Sequence, residues 1–195
     1  MRNGLAVTRL WLLAFLVSLF CVACGPRWTV VAQTEPNPFV NQRVLAVEPM
    51  HFEGLVVGAK SEAEYVSDKD AEQQSSWTED KRAFATRFAE HLTEALPQVQ
   101  FVAAAPVAGP YIVRPIVTFI EPGFYAAIVA QPAEVRLTLE LLSPRGEVLD
   151  RVKMTTTVAS TMTNPSSGGR LRAAGEDLGE QVAAYIRTRV FPGSD

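Results

Sequence analysis

Residues 133–158 constrain the fold more than any other stretch. In "AEVRLTLELL", Val135, Leu137, Leu139 and Leu141 alternate with Arg136, Thr138 and Glu140. Alternation with period two gives a strand with one buried and one wet face, so the first set is predicted to face a core and the second water. "SPRGE" then reverses the chain, because Pro144 presets φ and Gly146 can take the left-handed position. The returning segment "VLDRVKMTTTV" is predicted to bury Val148, Val152, Met154 and Val158. Such a hairpin has an apolar face that something else must cover.

Two helices can cover it. Trp77, Phe84, Ala85, Phe88, Leu92, Ala95 and Leu96 form one stripe at helical spacing, with Glu79, Asp80 and Glu90 outside it. Thr78 or an upstream serine is predicted to cap this helix, and Pro97 ends it. A second helix is predicted from about Ser167 to Val190, with Leu171, Ala174, Leu178, Val182, Tyr185 and Ile186 inward. Gly175 and Gly179 beside that face predict close packing against the sheet, and the charges Arg172, Glu176, Asp177, Glu180 and Arg187 exclude a membrane helix. Ser61 with Glu64 fits a capping box over a shorter helical stretch. Residues 43–47, apolar from Val44 onward, read as a central strand and "FVAAAP" as an edge. "YIVRPIVTFI" reads as a strand in which Pro115 requires a bulge or an edge. The order β-α-β-β-β-β-α predicts an α+β two-layer sandwich, with a mixed or antiparallel sheet of about four to five strands and both long helices on one face.

The N-terminus sets the compartment. Arg2 and Arg9 precede an uncharged apolar run that ends in Val22-Ala23-Cys24. The run is shorter than the ~20 residues that span a bilayer and has the layout of a signal peptide. Both cysteines, Cys21 and Cys24, lie at its end, with no second pair to support a redox or zinc site. Val22-Ala23-Cys24 resembles a bacterial lipobox, although Cys21 stands where leucine is usual. The resemblance implies cleavage before Cys24, diacylglycerol on its sulfur and, with Gly25 next, the periplasmic face of the outer membrane. The expected organisation is a signal peptide over 1–23, a tether over 24–42 made irregular by Pro26, Pro36 and Pro38, and one domain over 43–195. Without Arg2 and Arg9 the 18 basic residues become 16 against 21 acidic ones, a net charge of about −5. With no basic run, nucleic acid is not expected as a partner.

The lipobox, "RVLAVEPM", the long helix, "FIEPGF", "PRGEV" and "SSGGRLRAAGEDLGEQVAAYI" together resemble a family of bacterial lipoproteins of unknown function. More loosely, over about residues 43 to 190, the order is similar to the domain of curli-secretion lipoproteins, of lipoprotein activators of penicillin-binding proteins and of auxiliary lipoproteins of ABC transporters. The resemblance implies an accessory role in the envelope and transfers no functional residue except Cys24.

Catalytic chemistry is sparse. The chain has two histidines, His51 and His91. His51, near Glu48 and Glu53, could act as a base or a metal ligand, but no third ligand completes a zinc site. "DKDAE" around Asp68 and Asp70 lacks the glycine and final acid of a calcium loop. "SSGGR" opens a helix but lacks the lysine of a phosphate loop. No enzyme activity, cofactor or metal is expected.

One segment stands apart. Phe124, Tyr125, Ala126, Ala127, Ile128, Val129 and Ala130 form an apolar run between Pro122 and Pro132. It either completes the core as a strand or forms an exposed tongue for a partner or a membrane surface, with Phe124, Tyr125, Ile128 and Val129 as the contact set. Two functions follow: an adaptor that docks an envelope protein through a sheet edge or this loop, or a carrier that shields an apolar ligand between sheet and helices.

Overall fold

A computed structural model describes residues 27–104, 110–126 and 129–193. The leader, Cys24 and Ile128 lie outside the described residues. In chain order the strands are β1 (Trp28–Ala32), β2 (Val44–Val47), β3 (Val56–Val57), β4 (Lys60–Ser61), β5 (Gln100–Ala103), β6 (Ile112–Glu121), β7 (Phe124–Ala126), β8 (Val129–Gln131), β9 (Ala133–Leu142) and β10 (Val148–Val158). The helices are α1 (Glu62–Ser67), α2 (Ala71–Ala95) and α3 (Ser167–Val190).

The main sheet has eight strands rather than four to five. Its order is β1-β10-β9-β6-β2-β5, with β3 beside β6 and β4 beside β3, while β7 and β8 form a separate pair. The extra strands are short ones that periodicity does not reveal. β1 lies within the stretch expected to be a tether, and it pairs antiparallel with β10, Trp28 opposite Met154. The sheet therefore takes in residues ahead of residue 43.

The fold is α+β, with one core between sheet and helices. Val135, Leu137, Leu139 and Leu141 of β9 are buried together with Phe84, Phe88 and Leu92 of α2 and Leu171, Leu178, Val182 and Ile186 of α3. The capping box at Ser61 and Glu64 forms. The cap of α2 is Asp70, whose carboxylate accepts from the Gln73 N–H at 2.8 Å, so this helix begins a full two turns before the apolar stripe. α3 has the expected bounds, with Ser166 as its cap. Gly175 and Gly179 pack against α2 rather than the sheet: a Cβ at either would lie 2.5 Å from the Phe84 or the Phe88 carbonyl oxygen. α2 and α3 run side by side in the same direction, since Arg187 near the end of α3 donates to the Ala95 carbonyl at the end of α2.

Three strand expectations fail for identifiable reasons. Pro115 lies in a central strand between β9 and β2, with no register shift at its own position. Its missing N–H falls where β2 has already ended and the chain detours through Pro49, before His51 returns to donate to the Pro115 carbonyl at 2.9 Å. A bulge in β10 between Val148 and Asp150 leaves Val148 exposed, while Asp150 keeps the inward register of Val152 and Met154 and is buried. Glu140, expected in water, is buried beneath two arginines on the open face of the sheet.

Candidate functional site

The helices leave one sheet face uncovered, and a row of charges crosses it. Arg151 on β10 donates from Nε to Glu140 on β9 at 2.9 Å, and Arg114 on β6 approaches the other Glu140 oxygen at 3.6 Å. Arg114 also holds Glu48 with two bonds, Nε to Oε2 at 2.6 Å and the terminal nitrogen to Oε1 at 3.0 Å. His51 Nε2 completes the row at 2.8 Å from Glu48 Oε2. Cross-strand register makes the row, because Arg151, Glu140 and Arg114 are direct neighbours on three successive strands. The Arg114 guanidinium holds the Glu48 carboxyl below the usual carboxylate range against the opposing effect of burial, and His51 adds to the lowering.

This arrangement answers the question raised by His51. Its partner is Glu48, not the exposed Glu53, and Glu48 is already neutralised by Arg114. His91 sits 3.2 Å from Glu180 on α3. Asp68 pairs with Lys60 and Asp70 caps α2, while the start of α3 is occupied by the Asp80 carboxylate, which burial pushes above its ordinary pKa. Among the described residues no group of three or more His, Cys, Asp or Glu side chains could hold a metal ion. His51, His91, Asp68 and Asp70 each have a hydrogen-bond or ion-pair partner within the domain.

Glu48 gives the ladder a measurable signature. A carboxyl with a lowered folded pKa contributes stability that is present above its unfolded value, near 4.3, and is lost as the pH falls through the folded value. Glu48→Gln is expected to cost about 1 kcal/mol at pH 7 and to flatten the decline of urea-derived stability below about pH 4. An acid limb as steep as in the unaltered protein would count against the ladder. Asp177 acts in the same sense: burial alone would raise its pKa, but bonds from Thr156, Arg27 and Gln181 bring it below the ordinary value.

A second charged cluster has a buried centre in Asp150, Tyr185 and Arg189. Asp150 accepts from the Tyr185 hydroxyl at 2.7 Å, from Arg189 Nε at 2.8 Å and from the Thr34 N–H at 3.0 Å. Arg189 also donates to the Thr34 carbonyl at 2.8 Å and reaches Glu35 at 3.3 Å. Burial, reinforced by the Asp150 carboxylate, raises the Tyr185 pKa. The cluster ties the segment after β1 to β10 and to the last turns of α3.

The described residues of the apolar run after Pro122 lie outside the buried core. β7 and β8 pair as an arm, Phe124 opposite Gln131 and Ala126 opposite Val129. Phe124 is 46% exposed and Val129 59%, and Met162 on the loop before α3 is 83% exposed. Tyr125 is partly covered. The base of the arm is fixed. Gly123 has φ +64°, and a Cβ there would lie 2.4 Å from the Gln131 carbonyl oxygen. Ser160 donates to that same carbonyl at 2.6 Å. Arg170, buried to 1% exposure, donates to the carbonyls of Pro122 (3.0 Å), Pro165 (2.7 Å) and Asn164 (3.3 Å), and burial lowers its pKa. Arg170, whose described partners are all backbone carbonyls, thus joins the arm to the Met162 loop.

The space between sheet and helices is filled by side chains such as Phe84, Phe88, Leu139, Leu178 and Val182, none more than 2% exposed. A groove of about 430 Å³ lies at the margin, where Phe101 and Val102 of β5 meet Ala89 and Leu92 of α2. No described helix is long and apolar enough to cross a membrane.

The chain matches no protein-family profile and no curated protein. Among solved structures it is similar to the PelC dodecamer from Paraburkholderia phytofirmans, at 14% identity and a TM-score of 0.44 over 80% of this chain and 97% of that one. It is also similar to a minor lipoprotein from Acinetobacter baumannii (16% identity, TM-score 0.38, covering 74% of this chain and 91% of that one). A hypothetical protein from Chlamydia trachomatis gives 10% identity and a TM-score of 0.42, over 74% of this chain and 98% of that one. Likeness at this level is too distant to carry an argument about function.

Proposed function

We propose that the chain is a non-catalytic accessory lipoprotein of the bacterial envelope. Acyl chains on Cys24 anchor it to the outer membrane, and the domain works on the periplasmic side as an adaptor subunit of an assembly or transport machine. One observation carries this reading: helices cover a single face of the sheet, and the other face is left open and polar, with the charged side chains of its ladder bonded to one another. That face presents Arg136, Thr138, Lys153 and Thr155 around a shallow depression, a surface suited to a protein partner. A carrier would need its cavity in the space that the core side chains fill.

Complementation of a deletion strain separates adaptor from enzyme. His51→Ala is expected to preserve the envelope phenotype and to cost about 1 kcal/mol or less through its lost bond to Glu48. Arg136→Glu with Lys153→Glu, both at exposed positions, is expected to abolish complementation while costing only about 1 kcal/mol of stability through the lost surface contacts of Arg136 with Glu134 and Phe119. Loss of function in His51→Ala with stability intact would instead establish a catalytic histidine.

A further inference from the structure

The reach of the link ahead of β1 places the arm. This argument rests on the proposed acylation of Cys24. Trp28 is fixed opposite Met154 and edge-on to Tyr185, with ring centroids 5.8 Å apart, and Arg27 pairs with Asp177 at 2.6 Å. Residues 25–27 separate Cys24 from Trp28. A fully extended chain covers at most about 3.6 Å per residue, so the Cys24 Cα lies within roughly 14 Å of the Trp28 Cα.

The direction of β1 decides which end of the molecule that is. β1 is antiparallel to β10, so its N-terminus points toward the sheet end where β10 finishes at Val158, β9 starts at Ala133 and β6 stops at Glu121. Val158 lies four residues beyond Met154, roughly 13 Å along a strand. The link is thus only long enough to bring Cys24 level with that end of the sheet. The arm and the Met162 loop project from the same end, and the arm's root on β9 is two strand spacings, roughly 10 Å, from β1.

We infer that the β7–β8 arm, with Phe124 and Val129, and the adjacent Met162 rest in the interface of the leaflet that holds the Cys24 acyl chains, as a second membrane contact. The proposed acyl chains on Cys24 attach the domain through one flexible point, and a second contact fixes its orientation against the leaflet. The bonds of Arg170 and Ser160 hold the arm in place without help from the lipid. The first turns of α2, with Asp70 and Glu72, lie at this end too, because α2 runs parallel to α3 and Asp80 packs on Gly168. The contact is therefore apolar rather than an attraction to anionic lipid.

The test uses the full acylated chain in phosphatidylcholine vesicles that contain brominated acyl chains. Acylation consumes the Cys24 thiol, so Val129→Cys supplies a single site for a fluorescent probe, and Arg145→Cys at the opposite end of the sheet serves as reference. Bromine is expected to quench the probe at position 129 at least threefold more than the one at 145, with little dependence on salt. Equal, weak quenching at both positions in a chain that floats with the vesicles would overturn the membrane contact alone and leave the arm as a protein-docking surface. A chain that fails to float would refute acylation of Cys24, and the membrane contact with it.

Discussion

Asp150→Ala is expected to remove about 3–5 kcal/mol of folding stability, the range for breaking a buried ion pair from one side. The carboxylate is fully buried, and its removal strands three donors at once: Arg189, itself 5% exposed, the Tyr185 hydroxyl and the Thr34 N–H. Against a total of about 5–15 kcal/mol for a domain, that is a large share. Because Thr34 follows β1 directly, the loss should also loosen the first strand. A chain shortened to begin at Pro36, which lacks β1, Thr34 and Glu35, is therefore expected to be destabilised even with Asp150 intact. The double variant Asp150→Ala/Arg189→Leu decides the mechanism. Taking out the stranded cation with the carboxylate should restore part of the loss, whereas strictly additive urea-derived losses would show that the two side chains do not act as a pair.

The largest effect expected from adding a single methyl group is at the contact between the helices. Gly179→Ala would gain about 1 kcal/mol in helix propensity on an exposed surface. Here the new Cβ would stand 2.5 Å from the Phe88 carbonyl oxygen and 2.9 Å from the Leu92 nitrogen, both backbone atoms that cannot swing aside. The helices must separate, and the core residues Phe84, Phe88, Leu178 and Val182 lose contact with them. A net loss of about 2–3 kcal/mol is expected, and more than about 4 kcal/mol when Gly175→Ala is added. A rise in the urea midpoint for either alanine would show that the glycines are merely tolerated rather than required.

Much of this fold was legible in the chain, and the failures share a cause. The β9–β10 hairpin, the apolar stripe of α2 and both bounds of α3 follow from local periodicity and capping, which are written within a dozen residues. β1 was not legible because "WTVVA" is mostly exposed and owes its strand to pairing with a segment far away in sequence. The bulge that exposes Val148 likewise depends on the partner strand, whereas Asp150, an acid in the inward register beside Val152, was a visible anomaly. Arg170 and Arg189 fall at the two ends of the row that Ala174, Leu178 and Val182 occupy on α3, and both are buried. Charged residues on an apolar stripe were the available signal for the buried polar contacts. The ladder from Arg151 to His51 could not be read at all, since it needs the order of four strands. The apolar arm was visible as composition, but whether it faced core or solvent depended on the glycine and arginine that root it.

The clamp between the two ends of the chain also sets when the domain can finish folding. Thr34 and Asp150 are 116 residues apart, Arg27 and Asp177 are 150 apart, and the pair Arg87–Glu176 that links the helices spans 89. Contacts that close loops of this size carry a large entropic penalty and form late, so folding of this topology is intrinsically slow. No early subset of the chain can complete the sheet, because its first strand docks on its last. On the proposed export route this delay is useful. β1 has no strand to pair with until β10 has been synthesised, so the segment beside the proposed acylation site joins the sheet only then.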